Sequence, residues 1–109
     1  MNCNCEHNNQ ERAWVGTGLK FVITITAEGF DQEEDDFKVE FVCGRNTLEF
    51  SKEDMSIGSQ GEFIVNVDTA LLGAGTLSVI TTAYVPDEDW EGGYRPEVDK
   101  QDILIIKNV

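Results

Sequence analysis

Apolar and polar residues alternate with a period of two through several short segments, turn-forming residues recur between them, and no helical period outlasts a single turn. Together these observations predict an all-β chain folded as two antiparallel sheets packed face to face. An immunoglobulin-like sandwich of about seven strands is the expected topology. A small β-barrel is the alternative, because periodicity does not distinguish a closed sheet from two packed ones. The chain of 109 residues has room for one domain, enough to bury roughly 65% of its unfolded surface.

Residues 1–12 are rich in Asn, Gln and Glu and nearly devoid of apolar side chains. That composition predicts a flexible arm that orders only on a partner, with the sandwich domain covering 13–109. Trp14, beside Val15 and Gly16, is expected to pack on the sheet as the first ordered anchor. The first strand follows from Leu19, with Phe21, Ile23 and Ile25 on the core face and the β-branched Val22, Thr24 and Thr26 on the other. After the acidic turn region 29–36, Phe37 to Val42 alternates cleanly, Gly44-Arg45-Asn46 supplies a tight reversal, and Thr47 to Ser51 alternates again. The pair reads as a hairpin.

Phe63, Val65 and Val67 mark the inward side of the next strand. Asp68 or Thr69 caps a single crossing turn that Gly73 and Gly75 end. Thr76 to Tyr84 is the longest alternating run, with Leu77, Val79, Thr81 and Ala83 on one face. A last strand is expected over Glu97 to Lys107. Cys43, at the end of its strand, reads as a reduced and partly buried thiol.

Charge removes several classes of function. With 21 acidic and 8 basic residues, the formal net charge is -13, and the lysines are scattered singly, so nucleic acid and anionic membrane surfaces are not expected partners. No apolar run approaches the ~20 residues that span a bilayer. The start, Met-Asn-Cys-Asn-Cys-Glu-His, lacks the basic and apolar stretches of a secretory signal, which predicts a chain made and kept in a cytoplasm.

Catalytic chemistry is equally sparse. The single histidine, His7, lies in the leader, so no hydroxyl or thiol has a well-placed base, and no phosphate-binding glycine loop is present. The chain is read as a non-enzyme that needs no cofactor. Cys3, Cys5 and His7 form a Cys-x-Cys-x-His cluster that is a weak candidate for zinc, short of a fourth ligand. The acidic runs 31–36 and 87–89 suit a hard cation in residue type, but they lack the spacing of a calcium loop. Each also reads as a solvated loop that keeps sheet edges from mispairing.

The segment from Pro86 to Pro96 combines Trp90 and Tyr94 with Gly92-Gly93 and flanking carboxylates. Two prolines are expected to stiffen it, and a rigid aromatic pair is good contact material. The competing expectation is that both rings fold back and plug an open end of the sandwich. A carbohydrate- or receptor-binding module, in which Trp90 and Tyr94 stack on a sugar, is one functional reading of this loop.

Leu19 to Phe30, Asp36 to Phe41 and Val79 to Trp90 jointly resemble a group of small proteins from tailed phages and prophages of gut Bacteroidales. The likeness includes a Thr-Ala-Tyr-x-Pro-Asp stretch (Thr82 to Asp87) running into a glycine-containing loop, and an Arg-x-Glu-x segment (Arg95 to Val98) that begins the last strand. It spans about Leu19 to Ile106 and carries no catalytic motif. The resemblance implies a sandwich domain of the virion: a head fibre, a capsid decoration, or an adaptor of tail or baseplate. The implied partners are capsid, portal or tail proteins and further copies of the chain. Asp87, Trp90, Tyr94 and Arg95 are then the candidate partner-binding residues.

Overall fold

The computed structural model describes residues 2–6 (as backbone), 12–58 and 62–109. The described strands are β1 (Asn2–Glu6), β2 (Arg12–Trp14), β3 (Gly18–Thr26), β4 (Phe37–Cys43), β5 (Asn46–Ser51), β6 (Ser56–Ile57), β7 (Phe63–Asp68), β8 (Gly75–Pro86) and β9 (Tyr94–Lys107). They form two sheets, ordered β1-β3-β7-β6 and β2-β9-β8-β4-β5. This is the immunoglobulin-type sandwich: the chain crosses between the sheets from β1 to β2, β2 to β3, β3 to β4, β5 to β6 and β7 to β8, and the second sheet is built around the β8–β9 hairpin. Neither sheet closes into a barrel. Every pairing is antiparallel except that of β2 with β9, which is parallel.

The inward residues are those the alternation assigns. Phe21, Ile23 and Ile25 on β3, Phe63, Val65 and Val67 on β7, and Leu77, Val79, Thr81 and Ala83 on β8 are all buried. Aromatic rings bridge the two sheets: Phe21 meets Phe41 with centroids 4.9 Å apart, and Phe37 meets Phe63 edge-on at 5.1 Å. These contacts stitch β3 and β7 to β4 across the core. Cys43 is not partly buried, as its strand-end position suggested, but fully so, and it is a free thiol. It sits over Gly73, whose carbonyl lies 3.5 Å from Sγ. Desolvation pushes its pKa above the ordinary thiol value.

Three expectations need correction. The leader is not simply a flexible arm, because β1 pairs along its length with β3, Asn2 opposite Thr26 and Glu6 opposite Val22. A strand edge offers a backbone ladder that polar sequence can join as well as apolar sequence. Trp14 does not anchor the domain. The alternation of β2 turns Ala13 inward at 8% exposure and leaves Trp14 58% exposed. The last strand begins at Tyr94 rather than Glu97, so Pro86 and Pro96 lie within β8 and β9 instead of in the loop, with Pro86 opposite Tyr94 and Tyr84 opposite Pro96. Pro96 is tolerated because β2 covers only Ile105 to Lys107, which leaves this part of β9 as a sheet edge.

The topology sends the connections to opposite ends. Residues 27–36, 52–55 and 87–93 meet at one end, the tip, and residues 15–17, 44–45 and 69–74 at the other, the base. The molecule is elongated between them, 50 × 31 × 20 Å, close to the ~46 Å that a 14-residue strand spans at ~3.3 Å per residue. At the base, Asp68 caps the crossing turn by accepting from Ala70 N at 3.0 Å. No helix among the described residues is long and apolar enough to cross a membrane.

Candidate functional site

The tip is built from three loops, each fastened by its own polar groups. In 87–93, Asp87 N donates to Gly93 O at 2.9 Å and Gly93 N to Trp90 O at 2.9 Å, while Asp87 Oδ1 accepts from Asp89 N at 3.0 Å. Gly92 and Gly93 both take positive φ, 84° and 83°, which lets the chain reverse without a Cβ clash. Arg95, the second residue of β9, reaches back with Nε 3.1 Å from Asp87 Oδ2 and Nη1 2.8 Å from Glu97 Oε1. The bond to Glu97, then that to Asp87, raises the guanidinium pKa further.

Of the four residues singled out in this loop, Asp87 and Arg95 are thus committed to each other, as the brace of the hairpin. Trp90 and Tyr94 are 48% and 51% exposed. Neither ring plugs the core; each keeps about half of its surface open to solvent. The prolines lie in the strands that flank the loop, and the Arg95 brace and the backbone bonds within 87–93 tie the loop itself.

The loop 27–36 is pinned to the same end. The Gln32 amide donates to Ile23 O and accepts from Ile25 N, both at 2.8 Å, so a side chain takes the place of a strand neighbour along β3. Phe30 packs edge-on against Phe37 with centroids 6.4 Å apart. Asp31 Oδ1 accepts from Glu33 N at 3.0 Å, and Asp35 Oδ2 from Asp31 N at 2.8 Å. Lys52, in the turn after β5, donates to the carbonyls of Glu33 and Asp35 and lies 5.6 Å from the Phe63 ring centre. Its charge therefore satisfies backbone oxygens and leaves the neighbouring carboxylates facing solvent.

Between these loops runs an open groove of about 400 Å³, lined by Glu34, Asp35, Asp36, Tyr84 and Tyr94. Asp36 O accepts from Tyr84 N at 3.0 Å, which holds its acidic wall against the strand. Tyr84 was not a candidate in the sequence. Its signal was its outward position on the β8 alternation, opposite Pro96. On the inward side of β9, Arg95, Glu97, Asp99 and Gln101 stand opposite Val85, Ala83, Thr81 and Val79. Glu97 Oε2 is buried there without a hydrogen-bond partner. Inward charges along an open edge disfavour its pairing with another sheet.

The two acidic runs, 40 residues or more apart in sequence, share this end, yet several of their carboxylates serve as loop caps. Among the described residues, no three His, Cys, Asp or Glu side chains converge on a metal position. The side chains of Cys3 and Cys5 and the whole of His7 lie outside the described residues. Cys3 and Cys5 stand at the register positions opposite Ile25 and Ile23. No family model, no curated protein and no solved structure matches the chain.

Proposed function

We propose that the chain is a non-enzymatic virion structural protein of a tailed phage, a head fibre, capsid decoration or tail and baseplate adaptor, acting by protein–protein assembly. The phage assignment rests on the sequence resemblance. The observation that supports assembly is the tip, where Trp90 and Tyr94 stand half-exposed on a hairpin braced by Arg95 and Asp87. Rigid aromatic side chains lose little conformational entropy on binding and are over-represented among the residues that dominate interface energies.

The test is incorporation. Particles of the encoding phage are purified from cells that supply either wild-type protein or the Trp90→Ala, Tyr94→Ala double variant, and the protein is quantified by mass spectrometry. Wild type at fixed stoichiometry and a variant depleted at least tenfold is the expected result. Wild-type protein that stays wholly in the soluble fraction sinks the proposal. If that fraction bound a glycan array through Trp90, the sugar-binding reading of the same two rings would replace it.

A further inference from the structure

The charge of this molecule is separated along its long axis. The loops 27–36, 52–55 and 87–93 carry more than half of the chain's 21 acidic residues. At the base, the loops 15–17, 44–45 and 69–74 contain Arg45 and no acidic residue, and Asp68, which precedes the last of them, is turned onto Ala70 N as its cap. Arg12 and Lys107 stand beside them on β2 and β9, where Arg12 and Trp14 pair with Ile105 and Lys107. Arg12, Ala13, Trp14 and Lys107 enclose a hollow of about 110 Å³. Among the described residues, large apolar side chains exposed at this end are Trp14 at 58%, Leu71 at 62%, Ile105 at 49% and, just past Lys107, Val109 at 97%.

From this complementarity we infer that the partner of the acidic tip groove is the base of a second copy of this chain, so that molecules associate head to tail. This deepens the assembly role proposed above and rests on it. Arg12 and Lys107 of one copy would face Glu34, Asp35 and Asp36 of the next, with Trp14 against Tyr84 and Tyr94. A cation between carboxylates and aromatic faces is favoured by both. The two surfaces lie at opposite ends of a 50 Å molecule, so the contact cannot form within one chain. It is heterologous, and it propagates into a filament unless a rotation closes it into a ring.

Size and charge set its strength. An end with a 31 × 20 Å cross-section offers on the order of 600 Å² per partner, near the lower limit for a specific interface. At a net charge of -13, repulsion between whole molecules opposes the contact at longer range. Association is therefore weak, in the micromolar range or above.

Sedimentation velocity of the full chain tests this, with one variant per end: Arg12→Glu, Lys107→Glu at the base and Tyr84→Ala, Tyr94→Ala at the tip. Folding of each is verified by thermal unfolding. Wild type is expected to form a concentration-dependent series of oligomers. Each variant alone stays monomeric, and their equimolar mixture gives a dimer and nothing larger, because one intact base meets one intact tip. Wild-type oligomers with a mixture that stays monomeric, or variants that still oligomerise, overturn the head-to-tail contact and leave assembly standing. A wild type monomeric at every concentration also overturns it, and the role in the particle is then decided by the incorporation experiment alone.

Discussion

The Thr69 hydroxyl lies 2.8 Å from the carbonyl oxygen of Thr17 and accepts from Gly16 N at 2.9 Å. Thr69 is fully buried and begins the turn between β7 and β8, so one side chain joins that corner to the connection between β2 and β3. A buried hydroxyl with both partners satisfied is costly to remove, because the partners stay behind unpaired. Thr69→Val should lower stability by roughly 1–3 kcal/mol, read as a reduced urea midpoint at unchanged slope. Thr69→Ser, which keeps the oxygen, should retain most of it. Equal losses in both variants would assign the role to the methyl group.

Phe41 is fully buried and touches Phe21 across the sandwich and Phe50 along its own sheet. Phe41→Ala should cost ~3–5 kcal/mol, a large part of the ~5–15 kcal/mol typical of a whole domain. Phe50 is only half-buried, and Phe50→Ala should cost clearly less. Thermal unfolding of both variants checks the order, and the reverse order would show that the ring stack is not the centre of the core.

Asp54 accepts from the backbone N–H and the hydroxyl of Ser51, each at 2.9 Å. The backbone bond first, then the hydroxyl, holds its pKa below the ordinary 3.8. A depressed carboxylate contributes stability that is present above 3.8 and lost as pH falls through the lower folded value. The difference in urea midpoint between wild type and Asp54→Asn should therefore exist at pH 7 and shrink in strong acid. Ser51→Ala, which keeps the larger backbone contribution, should behave more like wild type. A difference independent of pH would refute the linkage.

Cys43 is 1% exposed and its pKa is raised by desolvation, so access and thiolate fraction both oppose its reaction. In a Cys3→Ser, Cys5→Ser background, labelling by an aromatic disulfide reagent should proceed only as fast as the protein unfolds. It should accelerate with urea in parallel with the loss of structure. Rapid stoichiometric labelling in native buffer would contradict the burial.

The core was legible because alternation is a local signal. Phe21, Val39, Val65 and Val79 each declare their face through their immediate neighbours, and a one-residue slip would turn all of them outward. The hairpin at Gly44 and the cap at Asp68 were legible for the same reason. β1 and β6 were not, since their residues pair by backbone on the edges of β3 and β7 and carry no apolar pattern of their own. Trp14 misled because its size suggested an anchor, whereas in so short a strand the register set by Ala13 decides. The tip was half-legible. Trp90, Tyr94 and the acidic runs stand out in sequence, but the partnership of Tyr84 with residues 34–36 exists only after β8 and β4 pair.

The parallel pairing of β2 with β9 also fixes how this domain resists force. A chain pulled from the residues before Arg12 and from those after Lys107 is drawn apart along the axis of these two strands. The three register pairs, Arg12 with Ile105 through Trp14 with Lys107, then slide against one another together instead of peeling in turn. β2 and the end of β9 are in this way clasped in shear, the geometry in which a short ladder withstands the most tension before it yields.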